Sequence, residues 1–109
     1  MSVDLNTLNE LKELMEDDFD ELITVFIADG QTQIDKLKTA IDTFNIEETR
    51  RIAHTLKGSS ANLGVNVLSE SCRVLEHKAS EGSLEDAIND LEKIISDYDV
   101  AKKVLKDNF

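Results

Sequence analysis

The chain has 109 residues, enough for one domain built on one modest core. Its 23 acidic and 12 basic residues give a net charge of -11, which argues against nucleic acid and anionic lipid as partners. No apolar run nears the roughly 18 residues of a membrane span, Met1-Ser2-Val3-Asp4 lacks the basic and apolar regions of a signal peptide, and the lone Cys72 precludes an internal disulfide framework and fits a reducing cytoplasm.

The absence of proline permits long uninterrupted helices, and apolar spacing predicts five of them in a single domain, 1–109. The first covers 5–15, with Leu5, Leu8, Leu11 and Met15 at helical spacing. The second covers 18–44, with an inward stripe of Phe19, Leu22, Ile23, Phe26, Gly30, Ile34, Leu37, Ile41 and Phe44. Asn45 then reads as an N-cap, with Glu48 three residues on in the position of a capping box. The third helix covers 46–63 and ends at Gly64. Asn66 is expected to cap the fourth, 66–81, which turns Val67, Leu68, Ser71, Cys72, Leu75 and Ala79 inward. Gly82 ends it, and the fifth covers 83–107 with Leu84, Ala87, Ile88, Leu91, Ile95, Tyr98, Ala101 and Leu105 on its apolar face and Phe109 just beyond. Short connections make successive helices antiparallel neighbours. The expected fold is therefore all-α, an antiparallel up-down four-helix bundle with the short N-terminal helix as a lid over one end.

The third helix carries the informative residues. A helix advances about 100° per residue, so Lys57 lies about 60° to one side of His54, Gly58 about 40° to the other, and Ala61 within roughly 20°. Ile52, Leu56 and Leu63 fall about 160–200° away. His54 thus points away from the core, beside small residues. Residues 50–58 hold three bases (Arg50, Arg51 and Lys57) and no acid, whereas residues 1–49 hold 13 acids and 3 bases. The histidine therefore sits in a basic island on an acidic chain. Ser59 and Ser60 turn toward a helix interface and lack the Gly-x-Ser-x-Gly elbow of a nucleophilic serine. Cys72 falls in an apolar stripe and reads as a small core residue; His77 reads as a solvated surface residue.

The run His54-Thr55-Leu56-Lys57-Gly58-Ser59-Ser60-Ala61-Asn62-Leu63-Gly64 resembles the His-x-x-Lys-Gly signature, followed by small residues and Leu-Gly, of histidine-containing phosphotransfer (HPt) domains. The resemblance spans the chain, and Met15-Glu16-Asp17-Asp18-Phe19 with Phe26-Ile27-Ala28-Asp29 is similar to small stand-alone bacterial members. Together with the start at Met1, this leads to the expectation of a free-standing shuttle rather than a segment of a hybrid kinase. The resemblance implies that His54 accepts a phosphoryl group, that Lys57 stabilises its charge and that Gly58 leaves the imidazole accessible. Arg50, Arg51, Ala61 and Glu76 become candidate partner-binding residues, with Glu76 also placed to orient His54. Implied partners are receiver domains of response regulators and hybrid histidine kinases, which hold the acceptor aspartate and the Mg²⁺; this chain itself is expected to bind no cofactor and no metal. It has no phosphate-cradling glycine loop, so no autokinase activity is expected, and a cytoplasmic monomer is implied.

Two other classes are weaker. A di-metal bundle needs paired Glu-x-x-His motifs pointing inward, and neither histidine lies in one. An adaptor bundle that binds receiver or kinase domains without phosphorylation keeps the fold but leaves the His54, Lys57 and Gly58 pattern without a purpose. Glycine in mid-helix costs about 1 kcal/mol relative to alanine, and on a solvent face helix packing does not account for it. Gly58→Gln is accordingly expected to retain the fold and slow phosphoryl transfer in a stopped-flow or gel assay; unchanged transfer rates would refute the clearance argument.

Overall fold

The computed structural model describes residues 3–109, and the reading of Met1 and Ser2 lies outside those residues. Among the described residues every regular element is helical: α1 (Leu5–Met15), a single 3-10 turn (Glu16–Asp18), α2 (Phe19–Asp42), α3 (Ile46–Asn62), α4 (Asn66–Ser80) and α5 (Ala87–Asn108). Contacts run α2 to α3, α3 to α4, α4 to α5 and α5 back to α2, so four helices enclose one core, and the α3–α4 pair has the most extensive contact. The molecule is 42 Å long and about 20 Å across, the proportions of helices lying along a common axis. No helix among the described residues is long and apolar enough to cross a membrane.

Each helix buries the stripe that its sequence period dictates. Phe19, Ile23, Phe26, Ile34, Leu37 and Ile41 of α2 are buried, as are Ile52, Ala53 and Leu56 of α3. From α4 come Leu68, Cys72 and Leu75, and from α5 Leu91, Ile94, Tyr98, Ala101 and Leu105. Two polar ties join α4 to α5: Ser71 donates to Asp97 at 2.5 Å and Lys78 donates to Asp90 at 2.7 Å. α1 seats Leu8 in the core, and Phe109 closes the same end with its ring edge-on to Phe19 at 5.3 Å. Gly64 makes this docking possible. Its φ is +72°, and a Cβ there would stand 3.1 Å from the Asp4 side chain and 3.2 Å from that of Thr7, while its carbonyl accepts from the Asp4 amide at 2.8 Å.

Several boundaries and faces differ from the sequence reading. The second helix starts at Phe19 and stops at Asp42. Phe44 is not on its buried stripe: it takes φ +54° in the link to α3 and is 80% exposed. The link closes by hydrogen bonds from the Phe44 amide to Ile41 and the Asn45 amide to Ala40, the pattern that ends a helix through a left-handed residue. The Asn45 side chain caps α3 by accepting from the Glu48 amide at 3.1 Å, but the Glu48 side chain pairs with Arg51 instead of returning to Asn45, so only half of the capping box forms. α3 ends at Asn62. α4 is capped by Val65, not Asn66, and has no side-chain cap; its Val67 is 37% exposed. α5 begins at Ala87 rather than residue 83 because Asp86 adopts a left-handed conformation, φ +57°, and Ser83 accepts from the Glu85 amide in a separate turn. The buried stripe of α5 passes through Ala87, Leu91, Ile94 and Tyr98, so Ile88 is exposed and Ile95 is only half-buried at the margin of the core.

Gly30 explains itself through Tyr98. The Tyr98 ring is buried and its hydroxyl donates to the Ile27 carbonyl at 2.5 Å, so it cannot withdraw, and a Cβ on Gly30 would lie 2.6 Å from its Cε2. Alanine would gain about 1 kcal/mol of helix propensity but force overpacking that costs about 1–3 kcal/mol. Gly30→Ala is therefore expected to lower unfolding stability by about 1 kcal/mol in urea titration; a variant more stable than the parent would refute this packing account.

Candidate functional site

α3 presents its polar face through the same geometry that buries Ile52, Ala53 and Leu56. His54 lies opposite them, with its side chain 64% exposed. Nothing lies within 4 Å of where a Cβ on Gly58 would be, and Ala61 is exposed one turn on. The imidazole consequently stands on an open stretch of helix with no side chain above it on that side. Ser60 is buried and the Ser59 hydroxyl donates to the Leu56 carbonyl at 3.2 Å, so neither serine is presented as a nucleophile.

α4 supplies the residue that organises this face. Glu76, 17% exposed, reaches across the α3–α4 seam with both carboxylate oxygens engaged. Oε2 lies 2.6 Å from His54 Nδ1 and Oε1 lies 2.5 Å from Lys57 Nζ. A carboxylate accepts, so Nδ1 carries the proton in this contact, and in the neutral ring the lone pair is then on Nε2, the nitrogen of this largely exposed side chain that Glu76 does not engage. The register that brings Glu76 there is reinforced by Ser69, about two turns earlier on α4, whose hydroxyl donates to the Lys57 carbonyl at 3.0 Å. Partial burial pushes the Glu76 carboxyl upward, but the hydrogen bonds from Lys57 and His54, with their charges, outweigh it and hold it below its ordinary value. The sign follows: its contribution to stability is complete above the ordinary carboxylate value of 4.5 and is lost as pH falls through the lowered one.

The basic island of the sequence is not a patch of free cations. Arg50 pairs with Glu47 and Arg51 with Glu48, each three residues back on α3, and Lys57 pairs with Glu76. These bonds hold both guanidinium groups above, and Glu47 and Glu48 below, their ordinary pKa values. The structure thus brings His54, Lys57, Gly58, Ala61 and Glu76 onto one surface, with Arg50 and Arg51 on the preceding turn of α3 already partnered. Glu47, Glu48 and Ser69 had no part in the sequence reading of the site; the i, i+3 spacing of both arginine pairs was a legible signal for the first two. His77 sits apart on α4, exposed beside Glu81 at 3.2 Å. Cys72 is buried, and burial with the nearby charges of Asp97 and Glu76 pushes its thiol up to about 12, so it is an inert core residue.

Two grooves flank these helices. One of about 190 Å³ runs between α2 and α3, with Leu22, Val25 and Phe26 facing Asn62. Asn62 lies about 80° around α3 from His54, so this groove adjoins the histidine face. A more apolar one of about 340 Å³ lies between α4 and α5 at Val67, Ser71, Val74 and Lys93. It is on the side of α4 that faces away from Glu76 and has no part in the site.

A family model described as the Hpt domain matches residues 21–105. The chain belongs to the Hpt domain family. Histidine-containing phosphotransfer protein B of Pseudomonas aeruginosa has a crystal structure that superposes with a TM-score of 0.95 at 28% identity, over 97% of this chain and 92% of that one. The chemotaxis protein CheA of Borreliella burgdorferi is 33% identical over 85% of this chain; the chain spans only 12% of that protein's length. Hpt domains are phosphocarriers of two-component signalling rather than catalysts, and that general function, histidine phosphotransfer, comes with the family. In an Hpt domain, the contact between Glu76 and Nδ1 has a direct consequence for the ring. Glu76→Ala is expected to shift the neutral imidazole of His54 from the Nδ1–H tautomer toward Nε2–H, read as exchanged ¹⁵N shifts of the two ring nitrogens; identical shifts in variant and parent would refute the assignment.

Proposed function

We propose that this chain is the phosphocarrier of a two-component phosphorelay and that His54 Nε2 is its acceptor atom. The observation that carries the reading is the Glu76 contact at Nδ1, which leaves Nε2 unprotonated on an exposed face cleared by Gly58 and Ala61. A phospho-aspartate of a receiver domain, or of a hybrid histidine kinase, presents its phosphorus to Nε2. The P–N bond forms as the acyl P–O bond breaks and the aspartate leaves as a carboxylate. The ring gains positive character as it attacks, and Glu76 stabilises it through the Nδ1–H bond without taking the proton. Lys57, 31% exposed and held beside the imidazole by Glu76, supplies positive charge to the equatorial oxygens. The reverse reaction delivers the phosphoryl group to the aspartate of a response-regulator receiver.

The partner surface combines the His54 face and Ala61 with the α2–α3 groove, and Arg50, Arg51 and Glu76 contribute to docking. These charges are already paired, so they act on specificity at close approach rather than on long-range attraction. The Mg²⁺ of the reaction belongs to the partner receiver; this chain contributes no metal ligand, no cofactor site and no autokinase activity. Helices α2 to α5 form an antiparallel up-down bundle with α1 as a lid over one end, an arrangement supported by the ring of helix contacts and the short links. We assign the chain as a cytoplasmic monomer with no nucleic-acid or membrane partner, in keeping with its net charge of -11.

The deciding experiment is transfer of labelled phosphate from a panel of phosphorylated receiver domains, with His54→Gln as the control. Acid-labile, base-stable label on the parent protein and none on His54→Gln is the expected result. Failure of every receiver to label a folded protein would instead favour a phosphorylation-independent adaptor.

A further inference from the structure

Phosphorylation brings close to two negative charges to the His54 ring, and each cation near it already has a carboxylate partner. The structure distinguishes which of them can let go. Lys57 is held by Glu76, whose carboxylate is 17% exposed and also carries the His54 bond, so releasing it strands a half-buried charge. Arg51 pairs with Glu48 on the side of α3 that faces α2, where Lys36 also acts on Glu48. Arg50 differs from both. Its partner Glu47 is 77% exposed, so water takes over that carboxylate when the pair opens, and exposed pairs are held weakly.

Arg50 is also in reach. It lies four residues before His54, and helix side chains lean toward the N-terminus, so the imidazole projects over the turn that Arg50 begins. It is on the α4 side, close enough for Glu76 to act on it. Its fork-shaped guanidinium already makes two contacts to Glu47, from Nε at 3.3 Å and from Nη2. The same two donors match two phosphoryl oxygens, a geometry an ammonium lacks. Lys57 and Arg50 therefore bracket the ring along the helix, one fixed and one mobile.

We propose that Arg50 is a positioning residue that exchanges Glu47 for the phosphoryl oxygens once Nε2 is modified, so that the Arg50–Glu47 pair is a resting latch rather than a helix staple. This rests on His54 as the acceptor. The exchange is ionic: no covalent bond changes beyond the P–N bond already described, and Glu47 is left hydrated.

The test uses the full chain phosphorylated by phosphoramidate, in which Nε2 attacks phosphorus, the P–N bond to the amino group breaks and ammonia departs. ³¹P NMR then follows the titration of the phosphoryl group between monoanion and dianion, with Lys57 and Glu76 present in every sample. In Arg50→Ala the midpoint is expected to rise by about half a pH unit, since a lost cation disfavours the dianion, and the difference shrinks at high salt. In Glu47→Gln, which keeps Arg50 but removes its competitor, the midpoint is expected to fall. Far-UV circular dichroism checks the fold of Arg50→Ala, and Glu47→Gln alone decides the matter if that variant is unfolded. Titrations that coincide with the parent overturn the exchange while leaving the acceptor reading intact. A parent that takes no phosphate, or a His54→Gln protein that takes as much, overturns both.

Discussion

One half-buried carboxylate sets the chemistry of this surface. Among the described residues Glu76 is the acidic side chain that contacts His54, and it holds Lys57 at the same time, so the tautomer of the ring and the position of the nearest cation follow from one residue. The arrangement is economical in free energy. A carboxylate removed from water needs its lone pairs satisfied, and here the two partners that satisfy them are His54 and Lys57, the two groups that the proposed transfer needs oriented. The bonds reach across a helix interface, so the site depends on the register of α4 against α3. That register is fixed by the core beneath, where Leu56, Leu68, Cys72 and Leu75 belong to one buried cluster, and by the Ser69 bond to the Lys57 carbonyl.

The open face is maintained as deliberately as the contacts. Gly58 lowers helix propensity without any packing return, since no neighbour occupies the space its side chain would take. Gly30 is the opposite case on α2, excluded from bearing a side chain by the Tyr98 ring. Both are mid-helix glycines, and sequence spacing alone separates them: one lies on the buried stripe and the other opposite it. The distinction shows why a helical glycine is interpretable only once the face it occupies is known.

What the sequence conveyed follows the range of the interactions involved. The direction of His54, the cleared positions at Gly58 and Ala61, and most of the core were legible because a helix repeats every 3.6 residues. The net charge of the island is not legible from residues 50–58 alone, although its cause is local: Glu47 and Glu48 lie one turn back and neutralise Arg50 and Arg51. Phe44 and Asp86 both take left-handed backbone, which no residue-type preference suggests for phenylalanine, and each shifts a helix end. The buried stripe of the fifth helix runs through Ala87, Leu91, Ile94, Tyr98, Ala101 and Leu105, which leaves Ile95 at its margin and Ile88 facing water. The Glu76 contact was the least legible of all, because it depends on the relative slide of two helices, and a slide of one turn would carry the carboxylate about 5.4 Å away.

The acidity of the chain bears on how such a surface meets a partner. With a net charge of -11, long-range attraction to another acidic protein is absent, and screening beyond roughly 8–10 Å at physiological ionic strength leaves recognition to the surface itself. Every cation on the histidine face is paired, so this surface is close to neutral at rest rather than positive. A neutral face with an adjoining apolar groove at Leu22, Val25 and Phe26 gives little electrostatic steering, so association is expected in the unsteered range. In the proposed transfer the charge that matters arrives with the phosphoryl group itself, and the pairs at Arg50 and Lys57 differ in the exposure of their carboxylates and so in how readily they can answer it.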